Sequence, residues 1–303
     1  MDNLDKIIAV RKMQEHIIAH ADEEITPEDL SRAAGYSKYH AARLFKELTG
    51  KNPFETIRAL RLTRAAQVLR DSEGEVKVID TVLDSGFNSH DGFTRAFARQ
   101  FNITPQKYQQ QTPPVRWFVH HPVQASQYIS KEGAKSMPKE PISRTMTVTA
   151  IERPARKLIL LRSVKATDYF SFCEEMGCDW EGLFNSISEK FDTAALITLP
   201  QNLIKPATGN TAAGVEVPTD YNKPIPAGYE TIDLPPCTML YFQGASYEDE
   251  NDFGHAIDTL WEIMDTYDPT QYSWQYAPEL APYFNFGANA KMGAKMARPA
   301  KKA

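Results

Sequence analysis

The sequence predicts a multidomain chain: an all-α front half of seven helices, followed by an α+β second half. Three observations point there. Apolar residues recur at helical spacing, with clear start and stop signals, across residues 1–111. Residues 112–145 are rich in Pro, Gln and Ser and carry no sustained period, as a linker would. From 146 to 303, short β-type runs alternate with two longer helical patterns. The length of 303 residues suits two domains of ~100–200 residues each. An apolar share of 42% and a charged share of 24% fit a globular protein. No run approaches the ~18 apolar residues of a membrane span. The first residues, Met1-Asp2-Asn3-Leu4-Asp5, are acidic where a secretory leader is basic, so a cytoplasmic protein with no membrane partner is expected.

The front helices follow in order. Leu4, Ile7, Ile8, Ile17 and Ile18 mark a first helix to about Ala19. Thr26-Pro27-Glu28-Asp29 opens a second, with a cap and a proline at the first helical position, and Gly35 ends it. Ser37 caps a third, to about Thr49-Gly50. Asn52-Pro53-Phe54-Glu55 forms a capping box for a fourth, to about Arg70, with Ile57, Leu60, Ala65, Val68 and Leu69 turned inward. Helices at about 77–85, 89–101 and 105–110 complete the seven, the last started by Thr104-Pro105.

Within this half the sequence repeats itself. Arg43, Phe45 and Pro53 recur as Arg95, Phe97 and Pro105, each 52 residues on, and Gly35 recurs as Gly86 at 51. Each copy is a helix ended by glycine, a tight turn, and a helix carrying Arg-x-Phe, which is the helix-turn-helix layout. Glycine in that turn permits the positive φ that sends the next helix off at a steep angle. The projecting helix then offers its N-terminal face to a major groove of double-stranded DNA. On the first such helix that face holds Tyr39, Ala42 and Arg43, flanked by Lys38 and Lys46; on the second, Ser89, His90, Asp91, Thr94 and Arg95. Leu44, Phe45, Phe93 and Phe97 point the other way. Arginine forks onto guanine O6 and N7, and threonine or alanine methyls meet a thymine methyl. Lysines and helix N-termini hold phosphates. Asp91 would either accept from cytosine N4 or orient Arg95. The fourth helix, ~27 Å long, would set the two reading helices one DNA turn (~34 Å) apart, so a monomer suffices, although a dimer also fits.

Charge agrees with this division. Residues 1–116 hold 17 Lys+Arg against 16 Asp+Glu, and the remainder is net −6, a poor phosphate binder. Cys173, Cys178 and Cys237 are odd in number, and the C-x4-C spacing suits neither zinc nor a redox pair, so reduced, mostly buried thiols are expected. His120-His121 lacks partner ligands and reads as a solvated linker pair rather than a metal site. With no Ser-His-Asp set, metal cluster, phosphate loop or nucleotide fingerprint, neither an enzyme nor a cofactor is expected.

In the second half, MTVTAIE and KLILLRSV read as strands or one bent strand, followed by one helix over about 168–191. LITLP, AAGVEVP, YETIDLP and TMLYFQGA are strands, then come a helix at about 250–266 and a last strand at PYFNFGA. The order suggests a duplicated strand-helix-strands module.

GYSKYHAARLFKELTG with GFNSHDGFTRAFARQFNITPQKY resembles the double helix-turn-helix signature of the AraC/XylS family of bacterial transcription regulators, over about 105 residues. The order, with the DNA-binding part first, resembles the Rob-type branch. In that branch the position of Tyr39 is commonly tryptophan and that of Ala42 often glutamine. The resemblance implies a transcription activator that binds promoter DNA and works with RNA polymerase. ERPARKLILL, DWEGLF and APELAPY are similar to the GyrI-like effector-binding domain, which implies control by a small-molecule effector, cationic and apolar, received by a glutamate between aromatic walls. The corresponding candidates are Glu279, with Trp180, Tyr229, Tyr241, Phe242, Trp261, Trp274 and Tyr283. Where that family has Gly-x-Tyr after its first strand, this chain has Arg162-Ser163-Val164-Lys165. Two alternatives stand beside this reading: a ligand-independent DNA binder whose second domain contacts proteins, and a second domain with hydrolase activity based on Glu279 with Tyr241 or Tyr283.

Overall fold

In a computed structural model, the described residues are 3–72, 78, 86–87, 89–123 and 142–303. The chain divides into two compact units, Met1–Ser136 and Met137–Ala303. Among the described residues, no helix is long and apolar enough to cross a membrane.

The first unit contains α1 (Asn3–Ala19), α2 (Pro27–Ala34), α3 (Lys38–Thr49), α4 (Pro53–Asp71), α5 (His90–Phe101) and α6 (Pro105–Gln111). The helix expected at 77–85 lies, except for Val78, outside the described residues. Local chemistry sets the helix ends. Thr26 and Asp29 form a reciprocal capping box before α2, and Asn52 and Glu55 form another before α4. Ser37, Ser89 and Thr104 cap α3, α5 and α6. Gly35 and Gly86, the two turn glycines, adopt φ of 70° and 66°, the left-handed region that a Cβ disfavours. Among the described residues two small cores result. One gathers α1, α2 and α3 around Val10, Met13, Leu44, Phe45 and Ile57. The other packs α4, α5 and α6 around Leu69, Phe93, Phe97 and Tyr108. Val68, expected inward, is 46% exposed, because its neighbour Leu69 takes the buried position of that helical turn.

The linker expected over 112–145 is, at residues 112–123, an extended strap packed on these helices. Val115 and Trp117 enter the second core and Val123 enters the first. The Arg70 guanidinium lies 4.5 Å from the Trp117 ring centroid. Phe118 donates its N–H to Thr63 Oγ1 at 2.8 Å, and Gln14 brackets the strap by donating to His121 O and accepting from Val123 N. His120 is therefore not a solvated histidine; burial holds its pKa down to about 4.

The second unit is one antiparallel sheet of nine strands: β1 (Met146–Arg153), β2 (Arg156–Arg162), β3 (Ala195–Thr198), β4 (Thr211–Pro218), β5 (Glu230–Leu234), β6 (Cys237–Gly244), β7 (Trp274–Tyr276), β8 (Tyr283–Asn289) and β9 (Gly293–Lys302). Its order is β1-β6-β9-β8-β3-β4-β2-β5, with β7 also on β9. Three helices accompany it: α7 (Tyr169–Met176), α8 (Trp180–Ser186) and α9 (Phe253–Asp265). The single helix expected over 168–191 is broken at Gly177, whose φ of 79° ends α7. β7 and β9 are additions to the expected strands, and β9 lies inside the sheet, between β6 and β8. The helices cover one face. α7 and α8 pack on Ile159, Ala213, Val215 and Val217, and α9 packs on Leu240, Phe242 and Met296. The alternate residues of the strands, Leu158, Leu160, Ile197, Tyr241 and Ala297 among them, form a separate cluster on the opposite face.

Candidate nucleic-acid interface and candidate ligand site

Each glycine turn launches a helix with an apolar back and a polar front. On α3, Ala41, Leu44 and Phe45 are buried, while Lys38, Tyr39, Arg43 and Lys46 are exposed and Ala42 is partly so. Tyr39 is the extreme case, at 81% exposure. A tyrosine presented this far into solvent gives the helix a large flat contact surface. Arg43 donates to His40 Nδ1 at 3.2 Å, which holds its fork on the exposed side. Lys38 pairs with Glu28, tying the start of α3 to α2.

On α5, Phe93, Phe97 and Phe101 are buried, and Ser89, His90, Asp91 and Arg95 are exposed. Asp91 lies 3.8 Å from His90 Nδ1. Thr94 differs from expectation: its hydroxyl is buried, with no hydrogen-bond partner. The spacing 39, 42, 43, 46 on α3 is matched by 91, 94, 95, 98 on α5, so the two fronts are equivalent surfaces.

One residue that sequence reasoning missed joins the two modules. Arg61, midway along α4, donates to Ala21 O at 2.7 Å and to Glu23 O, both just before α2. It also reaches Gly86 O at 3.4 Å, in the turn before α5. A Cβ on Gly86 would stand 2.8 Å from the Arg61 guanidinium. Nothing in the local sequence separates Arg61 from Arg58 or Arg64.

The candidate effector residues are not brought together around Glu279. Glu279 is exposed and pairs with Lys301 at 3.2 Å rather than lining an apolar cleft. Trp180 and Tyr229 belong to the cluster under α7 and α8, Tyr241 to the opposite face, and Phe242, Trp261 and Trp274 to the α9 side. Trp261 and Tyr283, with Tyr276, surround the Arg298 guanidinium at 5.2 to 5.5 Å, a cation already in place. Of the three thiols, Cys178 is exposed, while Cys173 and Cys237 are half-buried.

A different cluster lies on the face opposite the helices. The fully buried Arg156 donates to Glu216 Oε1 at 2.6 Å and to Pro235 O at 2.8 Å. Next to it, Arg153 donates to Tyr241 Oη at 2.6 Å and lies over the Phe191 and Tyr241 rings. Lys295 donates to both oxygens of Asp192, at 2.9 and 2.7 Å, over the Tyr241 and Phe286 rings. Burial pushes the Glu216 carboxyl up, against the pull of Arg156 and Arg153. Among the described residues, no group of three or more His, Cys, Asp or Glu could hold a metal ion.

Twin glycine turns and two equivalent exposed helix fronts, joined by α4, define the first unit as a helix-turn-helix domain. Comparison with known proteins places it further. A family model described as a helix-turn-helix domain matches residues 30–111. Transcriptional regulator Rob of Salmonella typhimurium is 30% identical over 129 residues, which are 43% of this chain and 44% of Rob. Regulatory protein SoxS of the same organism is 33% identical over 99 residues, 33% of this chain and 91% of SoxS. A solved AraC-type transcriptional regulator from Chromobacterium violaceum has 28% identity over 34% of this chain and 90% of that one, with a TM-score of 0.32. The chain belongs to the AraC/XylS family of transcription regulators, in the layout with the helix-turn-helix part first. It spans less than half the length of Rob.

Proposed function

We propose that this chain is a sequence-specific regulator, an activator, that reads a promoter site of ~20 bp with α3 and α5 in successive major grooves. The observation that carries the reading is the pair of equivalent fronts, each presenting an exposed arginine, Arg43 and Arg95, over a buried phenylalanine. In this reading Lys38, Tyr39, Ala42, Lys46, Ser89, His90, Asp91 and Thr94 complete the contact surface, Thr94 through its methyl. RNA polymerase is the partner an activator of this family needs. The seventh helix expected near 77–85 would complete the second module. The division expected from the sequence, 1–111 and 146–303 about a linker at 112–145, suits an effector-sensing second unit of the GyrI-like kind. A sensor works only if its ligand prefers one state of the chain.

The test is Arg43→Ala and Arg95→Ala. Each is expected to weaken specific binding by about 1–3 kcal/mol, with helical circular dichroism unchanged. Wild-type affinity in both variants would place the contact on another face.

A further inference from the structure

The helix-free face of the second unit carries more cation than its own carboxylates answer. Arg156 is committed to Glu216 and to backbone carbonyls. Apart from Arg162 and Lys205, which share Glu230, that leaves Arg153 and Lys295, and both turn to one carboxylate, Asp192: Lys295 at hydrogen-bond distance and Arg153 at 4.0 Å. The remaining acid, Glu216, stands 3.8 Å from the buried Nε of Arg153, which has no hydrogen-bond acceptor. Beside these cations runs an aromatic ladder. Phe284 stacks on Phe286 at 5.8 Å, Phe286 stacks on Tyr241 at 5.9 Å, and the three rings are nearly parallel. Phe284 is buried but Phe286 is only partly so, and Lys295 and Asp192 keep 33% and 20% of their side-chain surface open. Cations held over ring faces beside a parallel stack suit a flat, apolar body with one negative group.

We propose that the second unit binds a planar aromatic carboxylate on this face, its ring against the partly exposed Phe286 and its carboxylate on Lys295 and Arg153, in the place Asp192 now holds. Asp192 is the internal stand-in for that anion. The inference rests on the effector-sensing reading and reverses the ligand charge that the family resemblance implied: the glutamate named for a cation is at the surface, and the charged groups inside favour an anion.

The experiment is titration calorimetry on the full chain with 2-naphthoate and its cationic counterpart 2-naphthylmethylammonium, which have the same ring and opposite charge. The expected result is saturable binding of naphthoate at least tenfold tighter than of the ammonium compound. Lys295→Met should weaken naphthoate at least tenfold, and Asp192→Asn should strengthen it several-fold by removing the competing carboxylate. A network that only braces the sheet would instead show lower melting temperatures in both variants and no probe binding. Absence of saturable binding to the wild type, equal or tighter binding of the ammonium compound, unchanged affinity in Lys295→Met, or weaker affinity in Asp192→Asn would each overturn the proposal. Operator affinity measured with and without naphthoate separates the two claims. Binding that leaves operator affinity unchanged removes the sensing role and keeps the site.

Discussion

Thr26, Asn52 and Ser89 show how much single side chains decide in the first unit. Each satisfies helix N–H groups that would otherwise lack partners, and the Thr26 and Asn52 boxes are legible from a cap residue, a proline and an acid three residues on. Thr26→Ala is expected to cost about 1 kcal/mol of stability, read as a shift in the urea midpoint at constant slope. Glu279 illustrates the reverse. A glutamate near aromatics in sequence carries no information about burial, and this one faces water beside Lys301. The Arg153–Asp192–Lys295 cluster was illegible because its members come from β1, the segment before β3, and β9, brought together only by the sheet. His120 makes a pH prediction. Its folded pKa, about 4, lies below the ordinary value near 6.5. The unfolded chain therefore takes up the proton first, and stability falls as pH drops from about 6.5 toward 4, by at most ~1.4 kcal/mol per pH unit. His120→Gln should flatten that acid limb; an unchanged slope would show that other groups set it.

At the scale of elements, the repeat at 52 residues made α3 and α5 legible, since glycine, arginine, phenylalanine and proline recur together. The strands with β-branched and aromatic residues were legible too. β9 was not: GAKMARPAKK is rich in small and charged residues and contains a proline, yet it is an interior strand because Ala294, Ala297 and Ala300 let the neighbouring strands and α9 close over it. The break between α7 and α8 depends on one left-handed glycine inside a continuous amphipathic pattern. The relation of α4 to both modules makes the element-scale prediction. Arg61 fixes the segment before α2 and the turn before α5 to the same helix. Arg61→Ala should lower affinity for a two-segment operator at least tenfold while changing affinity for a single segment far less, as read by fluorescence anisotropy. Gly86→Ala should act likewise, through a close contact and a disfavoured φ. Equal losses on both DNAs would make Arg61 an ordinary stability residue.

At the scale of the whole molecule, the chain separates a nearly neutral, helical front from an acidic, sheet-based rear, a division legible in charge and periodicity. The strap was not legible, because an extended segment has no helical period and Pro113-Pro114 reads as linker. Its burial has a consequence for truncation. A fragment ending at residue 111 lacks Val115, Trp117 and Val123, and should be less stable than one ending at 123 by about 3 kcal/mol or more in chemical denaturation. Equal stability would mean that the strap adds nothing. The central claim, two reading helices in one chain, is tested most directly by hydroxyl-radical footprinting of the full chain on sites selected from random DNA. Two protected segments about one helical turn apart are expected, and Arg43→Ala and Arg95→Ala should each raise the protein concentration that half-protects them. A single protected segment, or wild-type protection in both variants, would contradict it.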